Sequence, residues 1–327
     1  MAADTNKDGK ELSNPFSTGG GGAHFENQVQ TLYVILMLTG GFVPCLPALP
    51  IKKIKLQGKY AGFNIDDFIA FIEDDGGERS AKLLAQIKHS LSITENDPTF
   101  SEVIAAAWLD FQTPEVFNRE TDAFALITGP LSATDGEVRT LLDWARSCEN
   151  AEEFLKKVEL AKFSSDTKRA KLKAFRTQLE NANNKIDVGD EALWLFLKCF
   201  HLLGYDLDMS SGVTLSLLKS QIAHFTTSEA SAILALVSNE VASFDKTAGT
   251  LTRDTISAEV GRIFAERLRE IPIEYTKPSD ADLHVAEQDY SKGEHADALM
   301  FASLAGAWNE KVEGDREVIR KLIEGDD

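Results

Sequence analysis

Two short stretches, 65–72 (IDDFIAFI) and 122–128 (DAFALIT), are apolar almost without a break once their aspartates are passed. They are too short for core helices, and without a polar face they are read as buried strands. A third stretch, 82–88 (KLLAQIK), is also largely apolar, and a fourth, 51–56 (IKKIKL), partly alternates. Turn residues separate the first three strands in chain order: GKYAG at 58–62 and EDDGG at 73–77. Helical spacing fills the gaps. Phe100, Val103, Ile104, Ala107 and Trp108 mark a helix over 94–111, and Val138, Leu141, Leu142 and Ala145 mark another over 134–146. Upstream, Phe25, Val29, Leu32, Tyr33, Leu36 and Met37 predict a buried helix over 24–39, stopped by Gly40-Gly41. Pro44, Pro47 and Pro50 then keep the chain in a loop. The order over 23–150 is helix, three strands, helix, strand, helix, which is an α/β domain.

From about residue 150 the pattern changes. NAEE at 150–153 suits a capping box that opens a helix. Periodic segments follow at 153–160, 166–182, 191–203, 213–225, 229–244 and 255–270, with more after Pro278 and a charged helix over 315–324. HLLGYDLD at 201–208 reads as a helix end at Gly204 and a restart. The expected organisation is therefore a flexible leader over 1–22, an α/β domain over 23–150 and an all-α region over 151–327. The glycine run at 19–22 is no phosphate loop, because no Gly-Lys-Ser/Thr follows it, and no GxxxxGK[S/T] occurs anywhere in the chain.

Charge narrows the functions. The chain has 34 Lys+Arg against 52 Asp+Glu, a net charge of −18. Residues 1–150 hold 12 against 21 and the remainder 22 against 31, so each half carries −9. Neither half is a basic module, and an acidic surface repels nucleic acid. A nucleic-acid function then needs a local basic patch or bound metal ions. Cys45, Cys148 and Cys199 are odd in number and lack zinc-ligand spacing, which points to a reducing compartment. The longest apolar run falls well short of a membrane span and the first residues have no secretory h-region, so a cytoplasmic location without membrane contact is expected.

The chemistry rests on polar residues set in apolar strands. Asp66-Asp67 stands at the start of the second strand, and Gln86 and Lys88, two apart and so on one face, close the third. Taken singly, the aspartates also suit a strand cap and Lys88 a snorkelling edge lysine. Together in buried strands they suit an all-oxygen Mg²⁺ site, with a carboxylate, a carbonyl-bearing side chain and a backbone carbonyl as donors. A lysine beside that ion can orient the attacking water.

The order helix–three strands–helix–strand, with Asp before Gln-x-Lys, resembles the PD-(D/E)XK nuclease superfamily. Within it the chain is most similar to the double-strand-DNA nuclease domain that heads antiviral STAND NTPases of the Avs type and some CBASS effectors. The stretches that carry the likeness are GGGGAHFENQVQTLYVILMLTGG, NIDDFIAFI, LLAQIKHSLSIT, FSEVIAAAWLDF and DAFALITGPLS. ALWLFLKCFHLLGYDLD and ALMFASLAGAWNE resemble the segment between nuclease and ATPase in those proteins. The resemblance implies Asp67 as metal-binding aspartate, with Asp66 as the close second candidate, Gln86 at the second metal position, Lys88 as motif lysine and Glu26 as the helix glutamate added to the metal shell. Gln86 departs from the usual Glu or Asp and removes a negative charge, which weakens metal affinity. The implied activity is Mg²⁺-dependent cleavage of double-stranded DNA with little sequence preference, with Mn²⁺ as a substitute ion. The implied partners are DNA, further copies of this chain, and an NTPase and sensor region in a longer chain. The segment 151–327 would link the nuclease to the oligomerising platform. The alternative is a non-catalytic assembly module on an inactive nuclease-like scaffold.

Lys52, Lys53, Lys55 and Lys59 form the densest basic cluster of the first 150 residues, and Lys52, Lys53, Lys55 and His89 are candidate phosphate contacts. The same lysines also suit a charged edge strand. His24 and His89 flank the site and read as structural residues or phosphate contacts rather than general bases. Trp108, Trp144, Trp194 and Trp308 sit on apolar helix faces and read as core.

Overall fold

The computed structural model describes residues 20–265. One six-stranded sheet organises them, in the order β5-β4-β3-β2-β1-β6. The strands are β1 (Ile51–Leu56), β2 (Phe68–Glu73), β3 (Ser80–Ile87), β4 (Ala123–Thr128), β5 (Phe200–Gly204) and the short β6 (Thr250–Leu251). β1, β2 and β3 run antiparallel, whereas β3, β4 and β5 are parallel neighbours. β6 returns antiparallel along the outer edge of β1.

Helices cover both faces, which is why the strands lack a polar side. On one face α1 (Gly20–Thr39), α7 (Val213–Ala223) and α8 (Ala230–Asp245) bury Phe25, Val29, Tyr33, Leu218 and Val237 against Phe68, Ala70, Leu83 and Ala125. On the other, α2 (Pro98–Phe111), α3 (Ala133–Ser147), α4 (Ala151–Glu159), α5 (Asp166–Ala182) and α6 (Asp190–Cys199) pack Phe100, Leu142, Phe154, Phe175 and Phe196 against Ile69, Leu84, Leu126 and Phe200. Consecutive strand residues such as Leu83 and Leu84 therefore serve opposite cores. A short α9 (Ala258–Ile263) follows β6.

Residues 20–150 form the elements in the expected order, with bounds shifted by a few residues. α2 starts at Pro98, where the Asp97 side chain accepts from Phe100 N at 2.8 Å. The break expected near residue 150 is corrected. Asn150 does cap α4, accepting from Glu153 N at 2.9 Å, but the sheet continues beyond it. β5 and β6 both come from the region read as all-helical, and the described residues all fall within one compact unit ending at Arg267. The helix expected over 191–203 ends at Cys199, and its last residues extend as β5 beside β4. FHLL is as compatible with a strand as with a helix, and partnership with Ala125 and Leu126 decides the matter. The leader boundary also moves, since Gly20 already begins α1. The remainder of the leader, the segments beyond 265, the stretch ALMFASLAGAWNE and Trp308 lie outside the described residues. Among the described residues no helix is long and apolar enough to cross a membrane.

Candidate active site

Four strand ends meet where β2 begins and the parallel strands β3, β4 and β5 finish. Carboxyl ends of parallel strands are where α/β sheets open into binding crevices. The loop before β2 is held from below by Asp110 of α2, which is fully buried. Its carboxylate accepts from Asn64 N at 2.8 Å, from Ile65 N at 2.9 Å and from the Asn64 amide at 2.8 Å. From above, Gly58 N donates to Asp66 O, and a Cβ at Gly58 would strike the Ile65 carbonyl. The two aspartates are thus fixed before β2 starts.

Their surroundings differ. Asp66 is partly exposed and forms an ion pair with Lys59 at 2.9 Å. Asp67 is buried, accepts from Ile87 N through Oδ2 and is hydrogen-bonded by the Gln86 side chain. Gln86 Oε1 in turn accepts from Asp66 N at 3.4 Å. Glu26, on the second turn of α1, reaches the same place. Gln30, one turn later and 1% exposed, donates through Nε2 toward Glu26 Oε1 at 3.2 Å, Asp67 O at 3.4 Å and Asp245 Oδ1 at 3.3 Å. Lys88 follows β3 half-buried, and its ammonium makes no ion pair among the described residues. Glu26, Asp67, Gln86 and Lys88 therefore converge as expected, with Asp66 at their edge.

The electrostatics follow from burial and like charge. The Glu26 carboxyl rises to about 7, first because it is buried and then because Asp67 and Asp245 face it, while Lys88 opposes the rise. Burial likewise lifts Asp67 to about 6, against the Ile87 N–H and the Lys88 charge. None of Glu26, Asp67 and Asp245 has a salt-bridge partner among the described residues. The cluster carries more negative charge than Lys88 offsets. Hard oxygen donors with a surplus of negative charge fit a divalent cation such as Mg²⁺. The set is lean, however: among the described residues no three His, Cys, Asp or Glu side chains are gathered tightly enough to hold a metal ion. A cation here would depend on the Gln86 carbonyl and on backbone oxygen as well.

Gln30, Gln57 and Asp245 carried no sequence signal for this site. Asp245 is the last residue of α8 and lies 178 positions after Asp67. Its Oδ1 also accepts from the Gln57 amide at 2.8 Å. No spacing rule could link it to the motif, because only the fold of the second half brings it there.

The basic candidates are not gathered around these residues. Lys52 pairs with Asp75 at 2.8 Å, and Lys53 lies over the Phe71 ring at 4.3 Å. Lys53 is paired with Phe71, four residues along β2 from Asp67, roughly 13 Å away at the strand rise. Lys55 donates to Ala248 O. His89 is at the correct end of the sheet. Its Nε2 lies 3.0 Å from Asp208 Oδ2, and its ring packs edge-on against Phe25, next to Glu26. Trp108 and Trp194 are core residues as expected, and Trp194 donates to Ala145 O at 2.8 Å. A cleft of about 1080 Å³ at the opposite end of the sheet is lined by Arg79, Arg119, Arg146 and Lys198, and by none of the converging residues.

No protein-family model matches the chain, and no curated protein matches it. Among solved structures, it is similar to the Acinetobacter baumannii Cap4 SAVED/CARF-domain containing receptor with the cyclic trinucleotide 3'3'3'-cAAA, with a TM-score of 0.40 and 12% identity. The likeness covers 71% of this chain and 45% of that one, so the chain spans less than half of the protein it matches.

Proposed function

We propose that this chain is a Mg²⁺-dependent endonuclease of the PD-(D/E)XK kind, which hydrolyses phosphodiester bonds of double-stranded DNA with little sequence preference and serves as an effector in antiphage defence. The observation that carries the reading is Lys88. It is a half-buried lysine without an ion-pair partner among the described residues, set beside the buried carboxylate of Asp67 and the half-buried one of Glu26. A structural lysine in such a place would be expected to sit in a salt bridge with one of those carboxylates.

Asp67, Gln86 and Glu26 would hold the ion, and Asp67 is favoured over Asp66 because Lys59 already neutralises the latter. Bound Mg²⁺ would polarise the phosphoryl oxygen and acidify a water molecule. Lys88 Nζ would orient the attacking oxygen and offset charge that builds on the phosphate. Gln86 accepts from Asp66 N and bonds the Asp67 side chain, so it also keeps the two aspartates in register. His89, steadied by Asp208, would meet a flanking phosphate. The lysines of β1 are already engaged and the chain is acidic, so a single copy should bind DNA weakly. Assembly of several copies, driven by NTPase and sensor regions in a longer chain, would supply the missing affinity.

A second reading, an inactive scaffold used for assembly, is favoured by the neutral Gln86 and the lean donor set. Plasmid nicking separates the two. The oligomerised protein with Mg²⁺ should nick supercoiled DNA, and Lys88→Ala and Asp67→Asn should each lower the rate at least about 100-fold. Equal nicking by Lys88→Ala and the unaltered protein would overturn the assignment, and no nicking under any divalent cation would favour the scaffold.

A further inference from the structure

Gln86 leaves the candidate metal site one negative charge short of the usual acidic pair. The fold places another carboxylate nearby. Asp245 closes α8, far along the chain, and its Oδ1 accepts from both Gln30 at 3.3 Å and Gln57 at 2.8 Å. The same Gln30 amide touches Glu26 Oε1 and the Asp67 carbonyl, so Asp245 lies within two hydrogen-bond lengths of Glu26. Both of its described hydrogen-bond partners are neutral amides, and no cation pairs with it among the described residues. Its charge is therefore held in place without being cancelled.

We infer that Asp245 is a positioning and charge-supplying residue of the metal site, providing from α8 the negative charge that Gln86 does not. It acts through Gln30 and through space, not as a direct ligand. Its placement explains three features together. Gln30 is a buried amide whose one nitrogen faces three acceptors, on α1, on α8 and in the loop before β2. Gln57 sits with φ 51, a left-handed conformation uncommon outside glycine, and its amide meets Asp245. The chain after α8 is fastened beside β1, since Leu56 N donates to Gly249 O at 3.1 Å and Lys55 to Ala248 O. α8 is thus anchored so that its last side chain faces the cluster.

This inference rests on the metal-site reading above, and the test keeps their failures apart. Mn²⁺ affinity is measured by calorimetry on the full chain without DNA, with melting temperature as a check of folding. Asp245→Asn keeps an oxygen for Gln30 and Gln57 but removes the charge, so affinity should fall about tenfold. Asp245→Glu keeps the charge and should stay within about threefold. Adding Gln86→Glu to Asp245→Asn should restore the affinity, because the lost charge returns at the neighbouring position. If Asp245→Asn binds Mn²⁺ like the unaltered protein while Asp67→Asn loses binding, the inference fails and the metal site stands. Equal weakening by Asp245→Asn and Asp245→Glu makes shape rather than charge the cause, and also overturns it. No Mn²⁺ binding by the unaltered protein overturns both.

Discussion

Asp110 illustrates how a residue outside the candidate site can shape it. It is fully buried, and removing its carboxylate would leave the Asn64 and Ile65 N–H groups and the Asn64 amide without their acceptor. Asp110→Ala should therefore cost about 3 kcal/mol in urea unfolding, and should also loosen Asp66 and Asp67. Titration gives a second expectation. The Glu26 and Asp67 carboxyls are raised in the fold, so the native state holds their protons more tightly than the unfolded chain does. Their contribution is complete below about pH 4 and is lost as pH climbs through about 6 to 7. His201 runs the other way. Burial, helped by Arg146, lowers it to about 4, so its contribution is present above about pH 6.5 and is lost as pH falls toward 4. In EDTA, Asp67→Asn should therefore gain stability relative to the unaltered protein between pH 5 and pH 8, read as the difference in urea midpoints. Asp67, Gln86 and Lys88 were legible because a polar side chain at the end of an apolar run is conspicuous. Asp110 and Asp245 were not, because each sits at an ordinary polar position of a helix and acquires its role only from what it faces.

At the scale of the element, local signals sufficed where local chemistry decides. Asp97, Ser132 and Asn150 cap helices that begin directly after them, and Ser132 forms a reciprocal box with Asp135. The short apolar runs became strands flanked by turns, as hydrophobic period and breakers require. β5 shows where such signals stop. Phe200–Gly204 continues a helical pattern without a breaker, and the chain abandons the helix because β4 offers a free parallel edge. β6 is only two residues long and has no signature of its own, and pairing with Ile54 and Lys55 creates it. Both failures concern segments whose conformation is dictated by a partner distant in sequence.

At the scale of the molecule, the sheet unites what the change to helical spacing near residue 150 divides. Helices α7 and α8 share a core with α1, and α5 and α6 share the other with α2. A fragment comprising residues 1–150 would expose both cores and leave β1 and β4 without their outer neighbours. It should fail to fold, seen as loss of cooperative urea unfolding and rapid proteolysis, whereas the full chain unfolds cooperatively over this unit. The even spread of negative charge is readable at once, and under the proposed function it would limit how tightly one copy could hold DNA.

The fastening of the segment after α8 beside β1 has a bearing on biosynthesis. A polypeptide leaves the ribosome amino end first, so Glu26, Asp67 and Lys88 emerge long before Gly249 and Leu251 can clamp the rim of the sheet. Until that late stretch has cleared the exit tunnel, α8 is not yet fastened and Gln30 and Gln57 lack the Asp245 carboxylate that accepts from them. Under the proposed nuclease function, such a chain would stay blunt while it is being translated, which would spare the chromosome of the cell that makes it.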